Sequence, residues 1–164
     1  MDKLSRIFDR VIRAGIILAA VLLILVMFSV NAEIFTRYIT GHSLIWVVEI
    51  SEISLLFITF LGVAWVLKKG GHVSVDILVN RLAPRTRAMF NAATSIVGAF
   101  AVLPLIWYGA QVTWTHYQKS LYEATALEIP NVAILFIIPL GSIFLFIQLL
   151  KKMYGYVREW QYHK

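Results

Sequence analysis

Four apolar stretches, each about as long as a membrane is thick, fill most of this 164-residue chain and leave it few ways to fold. Crossing a hydrocarbon core takes about 20 helical residues at a rise of about 1.5 Å each. The stretches at about 14–36, 44–67, 88–115 and 129–150 meet that requirement. Backbone polar groups inside lipid must be satisfied internally, so only helices or a closed barrel can span. A barrel needs alternating strands and many turns, whereas these runs are continuous. The expected fold is therefore all-α integral membrane, one domain over residues 1–164 with four transmembrane helices. Composition agrees, with 60% hydrophobic and 15% charged residues, outside ordinary soluble usage. The absence of cysteine excludes disulfides, iron–sulfur ligation, covalent haem attachment and thiol redox chemistry.

Positive charge fixes the expected direction of the spans, because Lys and Arg resist translocation. One side gathers Lys3, Arg6, Arg10, Arg13, Lys68, Lys69, Arg81, Arg85, Arg87, Lys151, Lys152, Arg158 and Lys164; the other has only Arg37 and Lys119. Both termini are thus expected in the cytoplasm. The net charge of +6 is split by apolar runs into short clusters, the pattern of membrane loops and not of a nucleic-acid surface. The first run, uncharged over residues 14–32, exceeds a secretory h-region of about 7–15 residues and reads as a retained helix. Aromatic residues cluster at both ends of the spans, as interfacial anchors do.

The flanking segments carry weaker patterns. Leu4, Ile7, Phe8, Val11 and Ile12 recur at helical spacing opposite basic residues. This is either an interfacial helix or a continuation of the first span. Between the second and third spans, Val75, Leu78, Val79 and Leu82 form one stripe, predicting a short interfacial helix at about 73–83 that Pro84 ends. In the third span Ala88, Ala92, Ser95 and Ala99 offer the small-residue spacing of close helix packing. Pro104 is expected to kink that helix, Pro139-Leu140-Gly141 to weaken the ladder of the fourth, and Pro130 to occupy the fourth helix's first turn.

Glu49 and Glu52 most need explanation, since a carboxylate at mid-membrane costs roughly 2.5–3.5 kcal/mol. Three apart on one helix face, they would lie about 5–6 Å from each other and repel by roughly 3 kcal/mol at an effective dielectric near 20. Either one is protonated or a cation sits nearby. Arg37, across the tight turn, is a candidate, although Glu33, four residues before it, competes for the same guanidinium. The pair is then a proton or cation site, or a set of interfacial groups paired with Arg37 or a partner subunit.

Catalytic and cofactor patterns are missing. His42, His72, His116 and His163 all fall outside the spans, where they cannot face one another across a buried haem. There is no nucleophile–base pair, phosphate loop or metal-spaced cluster, so no cofactor is expected. At mid-membrane the spans offer mainly Thr59, Thr94, Ser95 and Ser142, too little for a polar solute pathway. Two other functions stay in play: a self-sufficient proton-coupled exporter using Glu49 or Glu52, and a membrane lipid-modifying enzyme using His72 and Asp76.

The run Leu61-Gly62, then Lys68-Lys69-Gly70-Gly71-His72-Val73-Ser74-Val75-Asp76-Ile77-Leu78, resembles the signature of the small membrane subunit of tripartite ATP-independent periplasmic (TRAP) transporters. Supporting matches are Arg37-Tyr38, Trp46 with Glu49, Tyr108-Gly109, Leu127 with Ile129-Pro130, and Pro139-Leu140-Gly141. Val48 and Glu128 depart from common family residues.

The resemblance implies a bacterial inner-membrane subunit of a sodium-coupled symporter for a small organic acid anion. Its implied partners are a large multi-span membrane subunit that works as an elevator and a periplasmic solute-binding protein. The small subunit would brace the fixed scaffold of the larger one. It also implies an outer polar cluster of Arg37, Glu49 and Glu52, with His72 and Asp76 fixing the inner loop by capping its helix or contacting the large subunit. Lys68, Lys69, Arg81, Arg85 and Arg87 are expected to bind anionic phospholipids, each contributing roughly 1 kcal/mol near the surface.

Overall fold

The computed structural model describes residues 2–69, 84–119 and 129–162. The described chain is helical: α1 (Asp2–Thr40), α2 (Ile45–Lys68), α3 (Pro84–Lys119), a single turn α4 (Asn131–Leu135) and α5 (Ile137–Tyr162). Four of these are long and apolar enough to cross a membrane. The expected interfacial helix at 73–83 lies outside the described residues.

The helices overrun their apolar cores. α1 has 39 residues and so extends about 58 Å at 1.5 Å per residue, against a hydrocarbon thickness of about 30 Å. Its amphipathic start continues the span without a break, which resolves the two readings of residues 4–12 in favour of continuation. Gly41 ends α1: its φ of 71° is the left-handed conformation that side chains with a Cβ disfavour. Its N–H donates to the Arg37 carbonyl at 2.9 Å, closing the last turn.

Helix contacts define an open row. α1 packs on α2, α2 on α5, and α5 most extensively on α3; α1 and α3 share no extensive contact. The core cluster of Leu67, Ala99, Val102 and Leu149 belongs to α2, α3 and α5. Small residues make the approach close. Ala88, Ser95 and Ala99 are buried on α3, the stripe read from the sequence. A Cβ on Gly141 would lie 2.7 Å from Phe60 Cβ and 2.8 Å from the Phe60 carbonyl oxygen. One on Gly109 would lie 3.1 Å from Ile138 Cγ2 and 3.3 Å from Pro139 Cδ. The neighbouring helix requires glycine at position 141 and leaves only a tight fit for a Cβ at 109.

Proline weakens the ladder of the last span in the turn before its own position. Pro139 has no N–H to donate to the Leu135 carbonyl, and its ring crowds that carbonyl. The hydrogen-bond ladder is accordingly interrupted at Phe136, between α4 and α5, although the backbone there stays helical at φ −61° and ψ −24°; Pro139 itself sits within α5. Leu140 N–H to Phe136 O, at 3.3 Å, spans the break. Pro130 is the N-cap of α4 and not a first-turn residue. α3 runs continuously through Pro104.

Candidate functional site

Polar groups gather at the two ends of the bundle. At the end that holds the α1–α2 turn, the carboxylate of Glu33 on α1 is buried, with 5% of the residue exposed. The hydroxyl of Ser43, in the turn before α2, donates to its Oε1 at 2.8 Å. Arg37 Nε lies 3.5 Å from the same oxygen, one helical turn on, with its side chain 58% exposed. The Glu33 pairing left open by the sequence is therefore present. Glu49 is half-buried on α2 and engaged in a contact of its own. Glu52 is exposed and has no hydrogen bond or ion pair among the described residues.

Glu52 sits in a stripe. Ile45, Val48, Glu52, Leu55 and Thr59 recur at three- and four-residue spacing and are all exposed. The stripe is opposite in character to the buried positions Val47, Ser51 and Ser54 of the same helix.

At the other end, Lys68 closes the last turn of α2, where a cation suits the helix dipole. Its Nζ lies 2.9 Å from Asp9 Oδ1 of α1, and Lys151 Nζ of α5 lies 4.0 Å from the same oxygen. Lys151 also stands 4.3 Å over the Phe8 ring, and Phe8 packs on Phe144 with centroids 5.8 Å apart. Lys69 is 5.9 Å from the Trp65 ring centroid. The starts of α1 and α3 and the ends of α2 and α5 thus share one end of the bundle. Arg87 is exposed in the first turn of α3, which holds no acidic residue. Arg85 is in that same turn. His72, Asp76 and Arg81 lie outside the described residues.

Between the two ends Ser51, Thr59, Thr94 and Ser95 turn their hydroxyls onto their own helices. Thr59 donates to the Leu55 carbonyl at 2.8 Å, Thr94 to Asn91 at 3.1 Å and Ser95 to Asn91 at 2.7 Å. Ser51 donates to Val47 at 2.7 Å in the same way. Such back-bonding satisfies the hydroxyl without exposing a polar track. Ser142 Oγ and Gln148 Oε1 are buried on α5 without a hydrogen-bond partner among the described residues. No group of three His, Asp or Glu side chains converges as a metal site among the described residues. The outside is greasy: only 11% of the apolar stretch of α1 is buried, and 28% of that of the last span.

Asp9, Ser43 and Gln148 were not singled out by sequence reasoning, and Glu33 only as a competitor. The signal for Asp9 is a carboxylate alone among Arg6, Arg10 and Arg13. That for Glu33 is its helical spacing to Arg37.

Comparison with known proteins matches residues 26–159 to the family described as tripartite ATP-independent periplasmic transporters, DctQ component. The C4-dicarboxylate TRAP transporter small permease protein DctQ of Rhodobacter capsulatus is 28% identical over 118 residues, covering 72% of this chain and 52% of that protein. The ectoine TRAP transporter small permease protein TeaB of Halomonas elongata is 27% identical over 140 residues, covering 83% of this chain and 69% of that one. The sialic acid TRAP transporter small permease protein SiaQ of Vibrio cholerae is 21% identical over 127 residues, covering 77% and 71%. The chain spans about half the length of the first of these relatives. With the matched region running from α1 through α5, the chain belongs to the DctQ component family of tripartite ATP-independent periplasmic transporters.

Proposed function

We propose that this chain is the small membrane subunit of a binding-protein-dependent, sodium-coupled secondary transporter for a small organic acid anion. It braces the scaffold of a larger elevator-type membrane subunit, and a periplasmic binding protein delivers the solute. Both termini face the cytoplasm, and residues 1–164 act as one non-enzymatic unit. The observation that carries the reading is the internal satisfaction of the intramembrane hydroxyls of Thr59, Thr94 and Ser95. Four helices with apolar outer surfaces and no aligned polar groups form a wall, whereas a solute path at mid-membrane requires broken helices or convergent polar groups.

The large subunit docks on the exposed α2 stripe that carries Glu52. A carboxylate presented to lipid is costly, so this face fits a neighbour that brings a cation or several hydrogen-bond donors to it. Glu33 keeps Arg37 at the outer end of the same hairpin, and Arg37, Glu49 and Glu52 together form the polar part of the interface. His72 and Asp76 fix the loop after α2. Lys68, Lys69, Arg81, Arg85 and Arg87 meet anionic phospholipid headgroups; basic residues in the first turn of α3 oppose its dipole, and phosphate offsets that.

The test is reconstitution. Co-expressed with a large multi-span TRAP subunit, the chain co-purifies with it, and proteoliposomes take up solute only with the binding protein and an inward sodium gradient. Solute movement by the lone chain on a proton gradient would establish an exporter instead. Turnover of a lipid by the lone chain, lost on His72→Ala, would establish an enzyme.

A further inference from the structure

α3 stands at the end of the helix row, its extensive contacts going to α4 and α5. On the side that meets α5, Val102 is buried and Ile106 and Gly109 are half-buried. Two residues on from each, about 200° round the helix, come Pro104, Tyr108 and Gln111, all exposed. Trp107 and Phe100 join that face; Trp107, Phe100 and Tyr108 are 73%, 69% and 65% exposed. The side of α3 turned away from the bundle is thus not uniformly apolar. It holds an indole N–H, a phenol and a carboxamide.

These groups sit deep in the span. Gly109 lies against Ile138 and Pro139, and Gly98 against Leu149. At 1.5 Å per residue, Trp107 is therefore about 15 Å from the level of Asn131 at one end and of Lys151 at the other, deeper than an interfacial aromatic anchor. The side chains of Trp107, Tyr108 and Gln111 have no hydrogen-bond partner among the described residues. Thr113 and Thr115 on the same helix donate to the Gly109 and Gln111 carbonyls at 2.7 and 2.9 Å, a solution open to short hydroxyls and closed to rigid rings. The backbone adds a fourth group. α3 runs continuously through Pro104, which has no N–H for the Phe100 carbonyl one turn before it, and no side chain among the described residues supplies a donor there.

We infer that two copies of this chain pair through this face of α3. Both copies cross the membrane in the same sense, so a two-fold axis along its normal brings each group to the depth of its counterpart. The face is self-complementary, with donors and acceptors within a few turns of one helix. Gln111 meets Gln111 of the second copy in a reciprocal amide pair. Trp107 and Tyr108, whose side chains incline towards the helix N-terminus, bring donors down to the Phe100 carbonyl of the second copy, which points the other way. Polar groups that lipid tails leave unanswered acquire partners. An acyl chain, with neither donor nor acceptor, does not do this. The choice of a second copy over the large subunit rests on the α2 docking proposed above: α2 lies on the far side of α5, so pairing at α3 leaves its stripe free.

The chain has no cysteine, so single cysteines report contact without background. The full chain is expressed in bacterial membranes with and without the large subunit and oxidised with copper phenanthroline. Phe100→Cys is compared with Leu55→Cys on the exposed stripe of α2. Expected is a disulfide-linked pair of this chain from Phe100→Cys, about tenfold more abundant than from Leu55→Cys, in both preparations. Fluorescence energy transfer between labelled copies in liposomes measures association. Gln111→Leu and Trp107→Phe, both at exposed positions, each weaken it by about three- to tenfold while circular dichroism shows the helices intact.

Equal cross-linking at the two cysteine positions, or association unchanged in either variant, overturns the proposal. So does loss of the Phe100→Cys pair when the large subunit is present, which assigns this face to that subunit. The lone-chain readings need no large subunit, so a failure of that assembly and a failure of this pairing are read separately.

Discussion

Ser43 reaches back ten residues to Glu33, donating its hydroxyl to a buried carboxylate oxygen at 2.8 Å and fastening the turn before α2 to the end of α1. Arg37 approaches the same oxygen from the exposed side. Removing the acceptor leaves the hydroxyl and the guanidinium without their shared partner. Glu33→Ala is expected to destabilise the isolated chain by about 1–3 kcal/mol. Glu52→Gln, at an exposed position without an intramolecular partner among the described residues, changes it by less than about 0.5 kcal/mol. Thermal unfolding in detergent, followed by circular dichroism, measures both.

Glycine positions should rank by what a methyl group meets. At Gly141 it meets the Phe60 backbone oxygen at 2.8 Å, which no rotamer change relieves. Gly141→Ala is expected to cost about 1–3 kcal/mol through overpacking. Gly109→Ala meets Ile138 Cγ2 at 3.1 Å, which a rotamer change can move, and the rigid Pro139 ring no closer than 3.3 Å, and costs less. At Gly155 nothing lies within 4 Å, so Gly155→Ala gains up to about 1 kcal/mol of helix propensity. An order other than Gly141, Gly109, Gly155 in a melting series contradicts the packing described.

The interface assignment predicts a split between assembly and turnover. Glu52→Lys puts a like charge before a partner's cation, and co-purified large subunit should fall about tenfold or more. Glu49→Gln should lower the yield of complex more than uptake per assembled complex. Equal yield with reduced uptake would mean that Glu49 acts in coupling.

The break at Phe136 has a chemical origin that one substitution tests. Pro139→Ala restores a donor for the Leu135 carbonyl and removes the ring that crowds it. The backbone amide gained at position 139 should become protected from hydrogen exchange as α4 and α5 merge. Rapid exchange there would show that contacts with α3 set the break instead.

Much of this was legible from residue patterns because membrane helices announce themselves by length. Apolar runs located all four spans, and small-residue spacing at Ala88, Ser95 and Ala99 marked the face of α3 that is buried. Helix ends were less legible, since α1 and α3 continue past their apolar portions with charged residues that favour helix as well. The polar contacts were the least legible. Spacing and the tight turn offer Arg37 to Glu33 and to the α2 carboxylates alike, and the ion pair it makes is with Glu33. Asp9 hid in a basic stretch because its partners, Lys68 and Lys151, come from helices far along the chain.

The α1–α2 seam is latched at both extremities: Glu33 to Ser43 at one, Asp9 to Lys68 at the other. Between the latches a Cβ on Gly15 would lie 3.5 Å from the Leu61 carbonyl oxygen and one on Gly62 3.9 Å from Ile16 Cδ1, so the middle of the seam has a registry too. A slide of one helical turn, about 5.4 Å, would unfasten both latches and misplace those glycines together, so the hairpin is longitudinally indexed along its whole length.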